Sequence, residues 1–140
     1  MNHSAYSQAH DLAGAVARLN RRLRQERRSA LTASQLSVLS AVRAMGVATP
    51  GAVAARERVQ PPTVTRVLNA LDEAGLVVRE PHPDDGRQVL ISVSGLGEQI
   101  LTRERDRRDE WLAAQLGSLT TDERALLTGA AAVLERIANE

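Results

Sequence analysis

Residues 61–79 read PPTVTRVLNALDEAGLVVR, and residues 82–94 read HPDDGRQVLISVS. Proline breaks a helix interior but suits the first helical turn, where its missing amide hydrogen has no partner to lose. A helix is therefore expected to start at Pro62. Val64, Val67, Leu68 and Leu71 follow at i, i+3, i+4 and i+7, which makes a narrow apolar stripe. At about 100° per residue, Thr65, Arg66 and Asn69 face away from that stripe, with Thr63 at its flank. Gly75 closes the helix, giving an expected span of 62–74. The period then switches from helical to alternating. Leu76–Arg79 read as a strand and His82–Arg87 as a polar turn. Val89, Ile91 and Val93, alternating with Leu90 and Ser92, read as the returning strand.

Working outward to the N-terminal side, Thr49 followed by Pro50 predicts the cap and first position of a short helix that runs to about Arg56. Before it, Thr32 and Gln35 are spaced as a capping box, and Leu36, Leu39 and Val42 give the helix they open its buried face. Gly46 ends that helix. Leu12, Val16, Leu19 and Leu23 predict a first amphipathic helix over roughly 8–28. To the C-terminal side, Ser94 caps a fifth helix. Its middle, Thr102 to Glu110, has eight charged residues in nine, as expected of a solvated span between two packed ends. Leu96, Ile100 and Leu101 anchor one end; Trp111, Leu112 and Leu116 anchor the other. Thr120 and Glu123 form a second capping box, before a last helix with Leu126, Leu127, Ala130, Val133, Leu134 and Ile137 on one side.

Two short helices joined by a tight break, then a hairpin with a polar tip, describe a winged helix-turn-helix. The B-form major groove admits one helix, whose exposed side chains can reach base edges. The exposed face of 62–74 offers Pro62, Thr63, Thr65, Arg66 and Asn69. Arginine pairs bidentately with guanine and asparagine with adenine. Arg87, beside Gly86 at the hairpin tip, is placed to reach a neighbouring minor groove, where the potential is negative. Asp85 is expected to orient Arg87 or the turn, because a carboxylate next to phosphates is repelled. Arg56 and Arg58 are either phosphate contacts or solvated.

Composition sets the outer bounds. A chain of 140 residues is one domain's worth, with 43% hydrophobic and 25% charged residues, ordinary for a folded protein. The absence of cysteine excludes a disulfide framework, a zinc-thiolate site and a thiol redox switch. No apolar run approaches the length of a membrane span, and the N-terminus lacks the pattern of a secretory signal, so a cytoplasmic location is expected. All 18 basic residues are arginine, and alanine is abundant, as a GC-rich genome produces. Charge is uneven: residues 1–31 balance at +4, residues 32–95 at 0 and residues 96–140 at −3. Bulk charge therefore argues only weakly for nucleic acid. The six arginines of the first helix suit a solvated face better than a nucleic-acid contact. His3, His10 and His82 are too scattered for a metal site, and no catalytic constellation or cofactor fingerprint is present.

The segment Pro50 to Gly97 resembles the multiple-antibiotic-resistance regulator (MarR) family of bacterial transcription factors. The most specific part is Asp85-Gly86-Arg87-Gln88-Val89-Leu90-Ile91-Ser92-Val93-Ser94, which is similar to that family's wing. Thr63–Leu68, Leu71, Gly75–Val77 and Arg79 are similar to its recognition helix and first wing strand, and Gly97 to the glycine of the helix after the wing. The resemblance implies an obligate homodimer in which the first and last two helices interleave with their partner's. It also implies a repressor on a palindromic site, released by a small, often aromatic or phenolic, ligand. Only Tyr6 and Trp111 are aromatic, so a stacking pocket is poorly supplied, and no ligand residues are assigned.

The expected fold is mainly α with a small β-hairpin wing: a winged helix-turn-helix flanked by N- and C-terminal dimerisation helices. Residues 1–31 form the N-terminal dimerisation helix, 32–95 the DNA-binding domain with its wing at 82–88, and 96–140 the C-terminal dimerisation helices. Leu12, Val16, Leu19, Trp111, Leu116, Val133, Leu134 and Ile137 are the expected dimer contacts. The expected partners are an inverted-repeat duplex operator, on the bacterial nucleoid, and a second copy of the chain. The alternative is a winged-helix protein-interaction module that does not bind DNA.

Overall fold

The computed structural model describes residues 3–140. The order is α1 (His3–Gln25), α2 (Ala33–Met45), α3 (Pro50–Glu57), α4 (Pro61–Glu73), β1 (Val77–Pro81), β2 (Val89–Val93), α5 (Gly95–Gly117) and α6 (Thr121–Ala138). This is a mainly helical chain with one antiparallel hairpin, as the sequence leads one to expect. It forms two compact units. One is Arg27–Asp106; the other joins the residues up to Glu26 to Arg107–Glu140.

Local chemistry explains most helix ends. Thr32 Oγ1 accepts from the Gln35 amide at 3.2 Å while Gln35 Oε1 accepts from the Thr32 amide at 2.9 Å. Thr120 and Glu123 repeat the reciprocal pair at the start of α6. Thr49 caps α3 through the Ala52 amide, with Pro50 in the first turn. At the end of α4, Gly75 adopts φ +75°. Its amide bonds to the Asp72 carbonyl and the Leu76 amide to that of Leu71, the paired bonds of a Schellman ending. Arg58 ends α3 in the same way with φ 54°, occupying a position that favours glycine.

The core belongs to the 27–106 unit. Leu39 and Val42 of α2, Val53 of α3, Val64, Leu68 and Leu71 of α4, then Leu76 and Ile91, are all essentially fully buried in one cluster. The apolar stripe of α4 is thus its inward face, and each such side chain contributes about 1.5–3 kcal/mol by leaving water. The hairpin pairs Val77 with Val93, Arg79 with Ile91 and Pro81 with Val89. Ala48 adds a single further rung on Ile91, with amide–carbonyl bonds of 2.9 and 2.7 Å. Gly97 follows from packing: a Cβ there would collide with the Leu76 carbonyl oxygen and approach Val93 Cγ1 at 2.7 Å.

Three boundaries differ from expectation. Helix α1 begins at His3 and stops at Gln25 rather than spanning 8–28. It stops because Glu104 Oε1, on α5, takes the amides of Arg28 (3.3 Å) and Ser29 (2.9 Å), satisfying the backbone of the next segment outside a helix. Helix α4 begins at Pro61, one residue early, since both prolines fit its first turn. The first strand is Val77–Pro81 rather than 76–79, because Leu76 is used in the ending of α4 and Pro81 pairs with Val89.

In the other unit, neither α1 nor α6 has a fully buried residue. Leu12, Val16 and Leu19 on α1 and Leu126, Leu127, Val133, Leu134 and Ile137 on α6 are exposed, Leu126 at 74% and Ile137 at 58%. Trp111 and Leu116 of α5 are half-buried. The Arg22 guanidinium lies 4.7 Å from the Trp111 ring centre and 2.6 Å from Glu26. The charged middle of α5 is mostly exposed, with Glu104 and Arg107 half-buried. No helix among the described residues is long and apolar enough to cross a membrane.

Candidate nucleic-acid interface

Packing the stripe of α4 inward turns the opposite face of the helix to solvent. Pro62, Thr65, Arg66 and Asn69 are all exposed on α4. Thr63 is half-buried and lines a cavity of about 160 Å³ together with Ser37, Val38, Glu57 and Val67. Thr65 Oγ1 donates to the Pro61 carbonyl at 3.0 Å, which uses its proton and leaves its lone pairs able to accept. Gln60 offers no side-chain cap, and the first turn of α4 contains no acidic residue. Nothing on the helix therefore repels an approaching phosphate at that end.

Arg66 has no ion-pair or hydrogen-bond partner among the described residues. The neutral sum of residues 32–95 conceals this kind of freedom. Of the six arginines there, Arg43 faces Glu98 at 3.8 Å and Arg79 faces Asp72 at 3.6 Å. Among the described residues, the guanidinium groups of Arg56, Arg58, Arg66 and Arg87 face no carboxylate within ion-pair distance. Each is exposed. An unpaired guanidinium needs no salt bridge broken before it meets a phosphate or a guanine.

The wing tip is a small hydrogen-bonded structure. His82 Nδ1 accepts from the backbone amides of Asp84 and Asp85, both at 3.1 Å. The Asp85 carboxylate accepts from the Arg87 amide at 3.0 Å, and Gln88 Nε2 reaches its other oxygen at 3.5 Å. The turn closes through His82 N to Gln88 O (3.1 Å) and Gln88 N to Asp85 O (3.0 Å). Asp85 therefore acts on the backbone that carries Arg87. Arg87 and Gln88 border an open cavity of about 410 Å³ that also touches Thr49–Ala52 at the start of α3.

Asn69 is tied from the side: Arg79 Nη2 of β1 donates to its Oδ1 at 2.5 Å. The sequence placed Asn69 on the outer face but carried no signal for this tether, which depends on the register of the strand beside the helix. It also missed His82 as the organiser of the turn, because histidine is not among the residues that ordinarily make such local caps. No group of three or more side chains suited to a metal ion occurs among the described residues.

Comparison with known proteins agrees with this geometry. The family model described as MarR family matches residues 31–89. An uncharacterised HTH-type transcriptional regulator of Mycobacterium leprae is 47% identical over 133 residues, 94% of this chain and 93% of its own length. The multiple antibiotic resistance protein MarR of Salmonella typhimurium is 34% identical over 98 residues, 69% of this chain and 68% of its own. A crystal structure described as a transcriptional regulator protein from Pseudomonas aeruginosa superposes with a TM-score of 0.90 at 34% identity, covering 100% of this chain and 99% of its own. A mutant MarR from E. coli complexed with operator DNA gives 0.68 at 25% identity, covering 94% and 96%.

Proposed function

Because the chain belongs to the MarR family of DNA-binding transcriptional regulators, we propose that it is a homodimeric repressor of a palindromic operator. It is not an enzyme. Residues 32–95 read the duplex, with α4 in the major groove and the wing, 82–88, at the minor groove. Residues 1–31 and 96–140 form the dimer. The observation that carries the reading is the pairing of two free, exposed guanidiniums, Arg66 on the outer face of α4 and Arg87 on a wing whose turn is tied down by His82 and Asp85. Around them, Pro62, Thr63, Thr65 and Asn69 supply base and backbone contacts, and Arg56 and Arg58 supply charge.

The dimer follows from the apolar stripes of α1 and α6. Leucine, valine and isoleucine exposed at helical spacing on two helices of one unit cover each other once a second copy is present. Two-fold symmetry then demands an inverted repeat in the DNA. A small aromatic or phenolic effector is the ligand class the family resemblance implies, and release by it would act in the bacterial cytoplasm on a nucleoid-bound dimer.

The test is fluorescence-anisotropy binding to promoter fragments of the host genome, including the region upstream of the protein's own gene, at two salt concentrations. Selective, salt-sensitive binding to an inverted repeat supports the reading. Absence of binding even at low salt moves the protein to the interaction-module alternative, since non-specific affinity alone is measurable there.

A further inference from the structure

Arg79 fixes which way the amide of Asn69 points, and this sets the base that Asn69 can read. An asparagine amide presents an acceptor on one side and two donors on the other, whereas arginine only donates. With Arg79 Nη2 on Asn69 Oδ1, the carbonyl oxygen turns toward the wing strand and the Nδ2 hydrogens turn away from it. Asp72, one helical turn further along α4, faces Arg79 Nε at 3.6 Å and holds the guanidinium in this position. The chain Asp72–Arg79–Asn69 joins helix to wing, while Asn69 itself stays exposed.

Adenine is read bidentately by asparagine only if Oδ1 accepts from the N6 amino group while Nδ2 donates to N7. Here the first half of that pairing is compromised. One lone pair of Oδ1 is taken, and the remaining one sits beside a full positive charge that repels an amino hydrogen. Guanine presents two acceptors, O6 and N7, in the same groove. It accepts from Nδ2 and gains from the nearby guanidinium instead of being opposed by it. We propose that Asn69 is a guanine-reading residue and that Arg79 is a specificity-determining positioning residue that denies it adenine. The inference rests on the proposed placement of α4 in the major groove.

The experiment is selection from a randomised duplex library with the full-length protein, followed by anisotropy on duplexes differing at one position. Asn69→Ala identifies the position it reads, as the one where preference is lost. Wild type should favour guanine over adenine there by about tenfold, the scale of a good hydrogen-bonded base contact. Replacing that guanine by 7-deazaguanine, which lacks the N7 acceptor, should weaken wild-type binding several-fold. Arg79→Met, which keeps an unbranched apolar stem about as far as Nε and removes the charge and the donors, should shift the preference toward adenine. A wild-type preference for adenine at the mapped position, or an Asn69→Ala protein with unchanged preferences everywhere, overturns the proposal while leaving the regulator reading intact. A wild-type protein that enriches no sequence overturns both. The 7-deazaguanine duplex uses only wild-type protein, so a poorly folding Arg79→Met variant does not blunt the test; indifference to that analogue overturns the proposal as well.

Discussion

Arg66 and Arg87 are chemically alike, exposed and unpaired, yet they are expected to fail differently when truncated. Arg66 lies on a helix face that can enter a major groove, where a bidentate contact to guanine discriminates between bases. Arg66→Ala should cost about 1–3 kcal/mol on the selected site and little on random duplex. Arg87 lies on the wing, which the proposed reading sets against backbone and minor groove. Arg87→Ala should weaken binding to any duplex and lower the salt slope by about 1, one released counterion. Titrations on both DNAs at several salt concentrations separate the two roles; equal losses for Arg66→Ala on both DNAs would make it a phosphate contact. His82 belongs to the same scale. Its Nδ1 accepts two backbone amides, so His82→Ala leaves both without a partner and should loosen the wing. Faster amide hydrogen exchange at Asp84 and Asp85, with weaker DNA binding, is the expected outcome. His82→Asn, whose side-chain carbonyl can accept the same amides, should recover much of it. Equal behaviour of the alanine and asparagine variants would show that the acceptor is not what shapes the turn.

The elements divide into those whose ends are written in neighbouring residues and those whose ends are settled elsewhere. Thr32 with Gln35, Thr49 with Pro50, Thr120 with Glu123, and Gly75 are local signals, and the helices they bound are legible in the sequence. The stripe Val64, Val67, Leu68, Leu71 shows which face of α4 is buried, and by subtraction which residues face out. The end of α1 is not legible, because the group that satisfies the Arg28 and Ser29 amides is Glu104, about 75 residues away in the chain. The tether of Asn69 by Arg79 is hidden for the same reason: it needs the strand's position beside the helix. Arg58 shows a third case, in which the residue argues against the conformation it adopts. It holds φ 54° where glycine would be unstrained, with its guanidinium free beside the helix-turn-helix. Arg58→Gly should raise stability by about 1 kcal/mol, seen as a higher melting temperature. The same change should lower affinity for duplex DNA if the charge contacts phosphate. Increased stability with unchanged affinity would make Arg58 a solvated residue, and decreased stability would show that its side chain packs.

At the scale of the whole molecule, the decisive fact is that, among the described residues, the buried cluster lies in one unit while α1 and α6 of the other have no fully buried residue. The 27–106 unit buries Leu39, Leu68, Leu71, Leu76 and Ile91 together, while α1 and α6 leave Leu12, Val16, Leu19, Leu126, Val133 and Ile137 in water. In an isolated chain that exposure gains nothing from the hydrophobic effect; a second copy covering the same stripes removes apolar surface from water on both chains. Sequence periodicity showed these stripes but could not show how much of them stays exposed among the described residues. If dimerisation is what they serve, DNA affinity depends on it, because two winged units joined in one molecule bind an inverted repeat with the advantage of linked sites. Ile137→Asp places a carboxylate where the partner's apolar stripe would bury it without a counter-charge, an arrangement too costly to keep. The variant should sediment as a monomer at concentrations where wild type is a dimer. Its affinity for the inverted repeat should fall by about a hundredfold or more, while a single half-site is bound as weakly as by wild type. The intact core around Leu39 and Leu71 should keep the winged unit folded, so retained helical circular dichroism separates lost pairing from lost structure. A folded monomer that binds the full inverted repeat as tightly as wild type would show that the stripes serve another partner and that the regulator reads DNA one winged unit at a time.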